Sequence, residues 1–251
     1  MAERLAIILA AGKGTRMKSE LPKVLCRTLN RPMIHFVLDA LEKVGVDRVL
    51  VVVGHRADLV REELAGRNNV EFVDQTEQLG TGHAVKVCVP SLADFNGPVL
   101  IVTGDSPLIQ TSSIERLFQE YDRERPACIL GTLKKDDPFG LGRIVRTDEG
   151  EFLGIVEEKD ATDEQRRINE VNMSTYVFDC RELLMALEQL RTENNQREYY
   201  ITDCPGILKS LGKQVAALPV LKPCEALSIN TFDDLAAVEA EMRKLGYLCE
   251  S

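Results

Sequence analysis

Apolar runs and helically spaced apolar residues alternate along the first half of the chain. A strand that is buried on both faces reads as a continuous apolar run, and an amphipathic helix repeats its apolar residues every three or four positions. On this basis strands are predicted at 5–10, 48–53, 70–73 and 98–103. Helices are predicted at 32–44, 57–64, 81–92 and 111–124, with Thr111 or Ser112 as the cap of the last one.

The order of these elements predicts the fold class. Strand–helix–strand units cross over with a right hand and build a mainly parallel sheet with helices on both faces. We therefore expect an α/β fold with a Rossmann-like, mainly parallel mixed sheet. Ligands of such sheets bind beyond the carboxyl ends of the strands, so the segments after Ala10, Val73 and Thr103 are the ones expected to carry chemistry.

The second half of the chain has shorter strands with more polar alternation. Strands are predicted at 127–133, 142–146, 152–157, 172–178 and 215–219, and helices at 181–190, 201–211 and 232–245. They indicate a mixed extension of the sheet or a small covering lobe. The expected organisation is one domain, 1–251, with a first lobe at 1–125, a second lobe at 126–230 and a C-terminal helix at 231–251.

Composition and charge restrict the class of partner. Hydrophobic residues make up 44% and charged residues 28% of the 251 residues, as in globular proteins with a sizeable core. The net charge of −9 argues against a nucleic-acid partner, which needs clustered Lys and Arg. No apolar run reaches the roughly 18 residues of a membrane helix, and the first residues lack the basic head of a signal peptide. We therefore expect no membrane partner and a cytoplasmic location.

Cysteine usage agrees with a reducing compartment. The seven cysteines are odd in number and no two have a C-x-x-C spacing, so neither a zinc site nor a disulfide framework is predicted. Reduced and mostly buried thiols are expected.

A glycine-rich turn with nearby cations follows the first strand. Its residues are Ala10, Ala11, Gly12, Lys13, Gly14 and Arg16, followed by Lys23 behind Pro22. Glycine lets backbone N–H groups approach an anion, and Lys and Arg add positive charge, so the turn is a candidate phosphate loop. Met17 stands where a dinucleotide fingerprint has its third glycine, and the sequence is not a Walker loop. A turn that needs glycine for its geometry alone is the alternative.

These residues form part of a longer pattern. The Leu-Ala-Ala-Gly-x-Gly-Thr-Arg-Met sequence at 9–17, with its downstream Pro-Lys, resembles the sugar nucleotidyltransferases. The resemblance is closest to the uridyltransferase domain of bacterial bifunctional N-acetylglucosamine-1-phosphate uridyltransferases. It extends over nearly the whole chain, with further matches at 77–83, 104–109, 142–144, 154–162 and 199–203.

The resemblance implies a nucleotide site built from the loop and from the segments after the later strands. The expected nucleotide-binding residues are Leu9, Ala10, Ala11, Gly12, Lys13, Gly14, Lys23, Gln75, Gly80, Thr81, Gly104 and Asp105. The expected catalytic residues are Arg16, Lys23 and Asp105. Gln75, Gly80 and Thr81 match residues that hold uracil in the family, although an amide such as that of Gln75 is also typical of a solvated loop.

A magnesium site is expected at Asp105. This carboxylate follows an apolar strand and Gly104, and Mg²⁺ takes one or two hard oxygen ligands from protein together with phosphate oxygens and water. The resemblance implies the same role for Asp105 and gives it Asn230 as a partner. The alternative for Asn230 is a cap before the last helix.

For the sugar phosphate, the resemblance implies Thr103, Gly142, Glu157 and Asn172. The carboxylate of Glu157 can accept hydrogen bonds from sugar hydroxyls, and Asn172 can bind a hydroxyl or an acetamido group. The alternative is that Glu157 and Asn172 are polar residues at strand ends.

Two departures from the family pattern fall on the sugar side. Thr103 stands where the family commonly has Tyr before Gly-Asp, and Met173 and Ser174 follow Asn172 where the family commonly has Thr-Gly. These changes question the identity of the sugar more than the reaction. No hexapeptide-repeat sequence follows, so acetyl transfer and a trimer built through that domain are not expected, and the oligomeric state is left open.

The expected reaction is Mg²⁺-dependent nucleotidyl transfer between two small molecules, UTP and N-acetylglucosamine 1-phosphate, which gives UDP-N-acetylglucosamine and pyrophosphate. A sugar-phosphate oxygen attacks the α-phosphorus in line, and positioning and charge neutralisation supply most of the acceleration. No general base is needed, so His35, His55 and His83 receive no catalytic role. The alternatives are another sugar 1-phosphate of the glucose type, dTTP, or a nucleotide-sugar binding module without turnover. A dehydrogenase is excluded by the missing third glycine.

Overall fold

The computed structural model describes residues 3–14, 21–227, 229 and 231–249. Its strands are β1 (Leu5–Leu9), β2 (Arg27–Thr28), β3 (Arg31–Pro32), β4 (Arg48–Val53), β5 (Val70–Asp74), β6 (Pro98–Thr103), β7 (Cys128–Lys134), β8 (Gly142–Arg146), β9 (Phe152–Val156), β10 (Glu170–Asp179) and β11 (Val215–Leu218). Its helices are α1 (Met33–Lys43), α2 (Ala57–Glu63), α3 (Thr81–Lys86), α4 (Val89–Leu92), α5 (Thr111–Glu124), α6 (Cys180–Gln189), α7 (Asp203–Ser210) and α8 (Phe232–Lys244). Short 3-10 helices lie at Lys23–Leu25, Gln165–Arg167 and Pro223–Ala226.

Nine of these strands form one sheet, in the order β11-β7-β10-β6-β1-β4-β5, with β8 paired to β10 and β9 paired to β8. β1 lies between β4 and β6 and is parallel to both, and β4 is parallel to β5. β10 is antiparallel to its neighbours β6 and β7, while β11 is parallel to β7. On the main path of the described sheet, β10 therefore points back while the other strands share one direction. The predicted α/β fold with a mainly parallel mixed sheet is confirmed.

Both faces of the parallel strands are buried, which explains their continuous apolar sequences. Side chains alternate between the two faces of a strand. In β1, Leu5 and Ile7 belong to one buried cluster, and Ala6 and Ile8 belong to the other. The first cluster packs the sheet against α3, α6 and α7, and the second packs it against α1, α2 and α5. None of the helices in the described ranges is long and apolar enough to cross a membrane.

The last helix, α8, lies against the β2–β3 hairpin. The Thr28 hydroxyl lies 3.4 Å from the sulfur of Met242. Thr231 caps α8: its hydroxyl accepts from the Asp234 N–H at 3.2 Å, and the Asp234 carboxylate accepts from the Thr231 N–H at 2.8 Å. The capping role considered for Asn230 is therefore filled by Thr231, and Asn230 lies outside the described residues.

The single helix predicted at 81–92 is interrupted. It ends at Lys86 as α3, and α4 begins at Val89. Pro90 has no N–H to donate to the Lys86 carbonyl, and its ring would collide with that carbonyl in a continuous helix. The apolar spacing continues across the break, so periodicity alone predicted one helix where there are two short ones.

Helix α5 begins without the predicted side-chain cap. Gln110 precedes the helix in an extended conformation, and Thr111 is already its first residue. The Glu225 carboxylate accepts from the Gln110 N–H at 3.1 Å and from the Ser113 hydroxyl at 2.6 Å. A residue from far along the chain supplies the hydrogen bonds at this end, and the prediction of Thr111 or Ser112 as the cap is wrong.

The cysteines are free and mostly buried, as predicted. Cys249 is exposed, and the buried ones are Cys26, Cys88, Cys128, Cys180, Cys204 and Cys224. Burial raises the pKa of Cys88 to about 12, and burial followed by the charge of Asp179 raises the pKa of Cys180 to about 11. A thiolate is poorly solvated in an apolar core, so these side chains remain protonated and pack as small apolar groups.

Candidate active site

A cavity of about 330 Å³ opens at the carboxyl ends of β1, β5 and β6. Open α/β sheets bind their ligands at this position. The residues that line the cavity are Leu9, Ala10, Ala11, Gly12, Gly14, Lys23, Val24, Gln75, Gln78, Gly80, Thr81, Ala84, Thr103, Asp105 and Glu198. Most of the residues predicted to bind nucleotide are therefore neighbours around one cavity.

Two predicted nucleotide-binding residues lie beside the cavity rather than in its lining. Lys13 lines an adjoining cavity of about 460 Å³ together with His55. Gly104 lies beneath the site, where an added Cβ would be 3.0 Å from the Val24 Cγ1. Arg16, predicted to be catalytic, lies outside the described residues.

The glycine-rich loop is attached to the sheet by main-chain hydrogen bonds. The Ala10 N–H donates to the Val52 carbonyl at 3.0 Å, and the Ala11 carbonyl accepts from the His55 N–H at 3.3 Å. The chain leaves the sheet after these contacts. The backbone N–H groups of the glycines that follow are then available to approach an anion.

Gly14 and Lys23 are in close contact across this loop. Gly14 has a φ of +60°, and a Cβ at this position would lie 2.7 Å from the Lys23 Cβ. A residue without a side chain adopts this φ freely and leaves the space that Lys23 needs. Pro22 precedes Lys23, which begins the 3-10 turn Lys23–Leu25. The loop and the lysine are therefore positioned by each other.

Lys23 forms an ion pair with Asp105. Lys23 Nζ lies 2.5 Å from Asp105 Oδ2, and the two side chains are 15% and 28% exposed. Partial burial reduces screening by water, so the attraction is stronger than between two charges on the open surface. Two of the three residues predicted to be catalytic are thus in direct contact.

The surroundings of Asp105 fit a magnesium site that also uses substrate oxygens. In the described part of the chain no group of three or more His, Cys, Asp or Glu side chains could hold a metal ion. Mg²⁺ commonly takes one or two protein ligands and completes its shell with phosphate oxygens and water. A single carboxylate that already faces a cationic group suits this mode. Asn230, the predicted second ligand, is not among the described residues.

Gln75 is buried at the edge of the cavity, with 5% of its surface exposed. Its Nε2 donates to the Gly80 carbonyl at 3.0 Å and lies 3.1 Å from His83 Nδ1. With the amide assigned this way, both N–H groups of Gln75 are used and Oε1 remains as an acceptor. The Thr81 hydroxyl accepts from the Ile201 N–H at 3.1 Å. His83 therefore supports Gln75, a role that the sequence does not indicate.

The predicted sugar-binding residues fall into two places. Thr103 lines the cavity, and its hydroxyl is 2.7 Å from that of Ser106. Gly142, Glu157 and Asn172 do not belong to the cavity lining. They form a cluster of their own, because a Cβ at Gly142 would be 3.6 Å from both Glu157 Oε1 and Asn172 Cβ.

Glu157 lines an acidic cavity of about 280 Å³ together with Asp160 and Asp203. Its Oε1 accepts from the Thr202 hydroxyl at 2.9 Å, so Thr202 does not use that group to cap α7. Burial raises the pKa of Glu157; the Thr202 hydrogen bond opposes this rise and Asp160 adds to it. Burial, followed by the charges of Glu157 and Asp160, raises the pKa of Asp203 to about 6. Carboxyl groups with raised pKa values in a cleft are typical of functional sites.

Asn172 is held by two internal hydrogen bonds. Its Nδ2 donates to the Tyr176 hydroxyl at 2.7 Å, and its Oδ1 accepts from the Ser174 N–H at 3.2 Å. Ser174 has a φ of +53° and lies where the pairing of β10 with β7 changes register. Met173 packs with Leu141 against an apolar cluster. The bulk that Met173 adds is therefore accommodated by apolar packing.

Two polar residues of the lining, Gln78 and Glu198, were not singled out in the sequence. The Gln78 Nε2 donates to the Ala11 carbonyl at 2.8 Å. Glu198 lies against Gly80, where an added Cβ would be 2.8 Å from the Glu198 Cβ. Gln78 belongs to the matched segment 77–83, and Glu198 immediately precedes the matched segment 199–203. Both residues could have been identified from the sequence, because they lie in or next to these matched segments.

Comparisons with known proteins identify the family of this chain. Residues 6–203 match the MobA-like NTP transferase domain. The chain is 45% identical over 239 residues to the Bifunctional protein GlmU of Streptococcus gordonii, a match that covers 95% of this chain and 52% of that protein. It is also 45% identical over 240 residues to the Bifunctional protein GlmU of Listeria welshimeri, covering 96% of this chain and 52% of that protein. The chain thus spans about half the length of the curated relatives it matches.

Two solved structures share the fold. A structure described as a glucose-1-phosphate thymidylyltransferase from Bacillus anthracis in complex with a sucrose has a TM-score of 0.78 at 18% identity, with 97% of each chain covered. UDP-glucose pyrophosphorylase complexed with UDP-glucose has a TM-score of 0.75 at 16% identity, with 98% of this chain and 100% of that chain covered. Together with the domain match and the GlmU relatives, this places the chain in the family of MobA-like NTP transferase domains, as a nucleotidyltransferase.

Proposed function

We propose that this chain joins UTP to N-acetylglucosamine 1-phosphate, forming UDP-N-acetylglucosamine and releasing pyrophosphate, with Mg²⁺ as its cofactor. The observation that carries the proposal is the 2.5 Å contact of Lys23 Nζ with Asp105 Oδ2, in the lining of a cavity that the glycine-rich loop also lines. An ammonium group donates hydrogen bonds to phosphate oxygens, and a carboxylate is a ligand for a divalent cation. The GlmU relatives and the resemblance of the motifs support the choice of substrates.

Gln75 would bind the nucleobase. Its Oε1 is an acceptor, and the N3–H of uracil is a donor of matching type. Gly80 and Thr81 line the same part of the cavity and would contact the base or the ribose. Thymine carries the same N3–H and cytosine does not, so this contact supports uracil or thymine.

The glycine-rich loop would hold the triphosphate. The backbone N–H groups of Gly12 and Gly14, with the charges of Lys13 and Arg16, would bind its phosphates, and Lys23 would stabilise the charge that develops during transfer. A bond forms between a sugar-phosphate oxygen and the α-phosphorus, and the bond from that phosphorus to the bridging oxygen breaks. The electron pair leaves with pyrophosphate. The attacking oxygen is already ionised, so no side chain has to remove a proton.

Asp105 and Asn230 would hold the Mg²⁺. When bound, this ion neutralises negative charge on the reacting phosphates. The Lys23 ammonium lies against the same carboxylate. It has three N–H donors, so it can contact Asp105 and donate to a phosphate at the same time.

Glu157, Asn172 and Gly142 would bind the sugar. A carboxylate can accept hydrogen bonds from sugar hydroxyls, and an amide can bind an acetamido group. Thr103 lines the cavity where the family commonly has Tyr, so the contacts to the sugar at this position differ from those of the family. A sugar 1-phosphate of the glucose type is therefore the second candidate.

A pyrophosphate-release panel tests the proposal. The protein is supplied with Mg²⁺, with UTP or dTTP, and with N-acetylglucosamine, glucosamine or glucose 1-phosphate. We expect the fastest release from UTP with N-acetylglucosamine 1-phosphate, and none after addition of EDTA. Asp105→Ala should abolish release while its circular dichroism spectrum remains that of the wild type. Nucleotide binding without release from any pair would indicate a binding module and contradict the proposal.

A further inference from the structure

Gln78 connects the segment that carries Gln75 to the glycine-rich loop. Its Nε2 donates to the Ala11 carbonyl at 2.8 Å, and the His55 N–H donates to the same oxygen at 3.3 Å. Gln78 lines both the cavity of about 330 Å³ and the adjoining cavity of about 460 Å³. The Ala11 carbonyl is thus held by two donors from two neighbouring segments.

The direction of the Ala11 carbonyl determines the direction of the next N–H. A trans peptide unit is planar, and its C=O and N–H point to opposite sides. The described backbone contains no cis peptide bond. Because the Ala11 oxygen is directed at Gln78 and His55, the Gly12 N–H is directed away from them. No residue in the described ranges accepts a hydrogen bond from this N–H.

Gly54 leaves the space in which the Gln78 amide lies. A Cβ on Gly54 would be 2.6 Å from the Gln78 Nε2 and 3.0 Å from the Ala11 oxygen. Both distances are shorter than the roughly 3.5 Å of an ordinary contact between heavy atoms. A side chain at Gly54 would therefore displace either the amide or the loop.

We propose that Gln78 is a positioning residue for nucleotidyl transfer: it holds the Ala11 carbonyl so that the Gly12 N–H points at a phosphate of the bound nucleoside triphosphate. The inference rests on the proposed function, because it requires a triphosphate in this cavity. A donor that is already aligned needs no reorientation as charge develops, and this is the condition under which such donors are most effective. Gln78 acts through Gly12 and needs no contact of its own with the nucleotide.

Gln78→Met and Gln78→Glu test the proposal, because both retain the length and the approximate volume of the side chain. Met has no donor, and an ionised Glu would repel the Ala11 carbonyl. We expect kcat/KM for UTP to fall about 10- to 100-fold in Gln78→Met, because misdirecting a charge-stabilising donor should cost somewhat less than removing it. Gln78→Glu should lose at least as much. Wild-type kcat/KM for UTP in Gln78→Met would overturn the inference.

A second measurement separates an aligned N–H from general support of the fold. UTP and uridine differ by the phosphates alone. The thermal shift produced by UTP should shrink in Gln78→Met, while the shift produced by uridine and the midpoint without ligand should match the wild type. Equal losses with UTP and uridine would mean that Gln78 supports the whole site, and would overturn the role assigned to the Gly12 N–H.

Gly54 does not line the 330 Å³ cavity, but a Cβ added in Gly54→Ala would displace the Gln78 amide. This variant should therefore reduce kcat/KM for UTP in the same way. Glu77→Gln is the matched control, because Glu77 is an exposed neighbour that lines neither of the two cavities. It should behave as the wild type. If the wild-type protein releases no pyrophosphate from any pair, the proposed function fails. If the wild type turns over and Gln78→Met does so equally well, this inference alone fails.

Discussion

The Lys23 ammonium lies 2.5 Å from the Asp105 carboxylate. The group proposed to bind phosphate is therefore paired with the group proposed to bind the metal ion. A divalent cation at Asp105 would compete with Lys23 for the same oxygen. This competition links metal binding to phosphate binding in a way that can be measured.

Lys23→Met tests the effect of Lys23 on metal binding separately from its effect on catalysis. Loss of the competing ammonium should tighten binding of Mn²⁺, a paramagnetic substitute for Mg²⁺, to the protein alone by about 5-fold, the equivalent of an ion pair of about 1 kcal/mol. The kcat should fall about 100-fold, because one charge-stabilising donor is lost. Titration by electron paramagnetic resonance measures the first effect and pyrophosphate release the second. Unchanged or weaker Mn²⁺ binding would contradict the competition.

Gly14→Ala should act through Lys23. An added Cβ would lie 2.7 Å from the Lys23 Cβ, at a φ of +60° that L side chains rarely adopt. We expect kcat/KM to fall about 100-fold, the cost of displacing a positioned group by about 1 Å. Gly66→Ala is the control, because a Cβ there has no neighbour within 4 Å. Equal steady-state rates in the two variants would show that the Gly14–Lys23 contact does not position the lysine.

Glu157→Gln should weaken binding of the sugar 1-phosphate without changing binding of UTP. The Thr202 hydroxyl can still donate to the amide oxygen of Gln, so the local fold should be retained. Loss of a charged acceptor should raise KM for the sugar 1-phosphate by about 10- to 100-fold, as for other hydrogen bonds to charged groups. KM for UTP should stay within error of the wild type. A comparable rise in KM for UTP would remove Glu157 from the sugar site.

Asp203→Asn should change the pH dependence of stability. The pKa of Asp203 is about 6 in the folded protein, against an ordinary value of 3.8. Between about pH 4 and 6 the folded state holds a proton that the unfolded chain releases, so stability falls as pH rises through this window. Asn cannot ionise, and the variant should be more stable by about 1 kcal/mol at pH 7.5, after allowance for solvent screening. Thermal unfolding should show this advantage at pH 7.5 and none at pH 4. An advantage that grows toward low pH would contradict the assignment.

Several elements were predicted from the sequence with their observed bounds, among them two of the buried parallel strands. The bounds predicted at 48–53 and 98–103 are those of β4 and β6, because nearly every position is apolar and a glycine follows each run. The break before Pro90 was missed because the apolar spacing continues through it. The place of β10 between β6 and β7 depends on which strand edges pair, and periodicity does not contain that information. The division into two lobes stays a prediction.

For the site, the motifs identify residues that the fold brings to one edge of the sheet. Lys23, Gln75 and Asp105 line one cavity, as expected for segments that follow the carboxyl ends of neighbouring parallel strands. The ion pair of Lys23 with Asp105 and the hydrogen bond of Thr202 to Glu157 could not be predicted, because each joins segments that are distant in sequence. The roles given to Arg16 and Asn230 stay predictions.

Because the other six cysteines are buried, Cys249 is the one cysteine that a labelling reagent can reach in the folded protein. Alkylating reagents react with the thiolate, and the buried cysteines are shielded from them; burial also raises the pKa of Cys88 to about 12. Cys249 is exposed on the segment after α8. A maleimide fluorophore should therefore add once to the folded protein, at Cys249, and should reach all seven cysteines only after denaturation. A single label would then be available for following nucleotide binding without altering the active site.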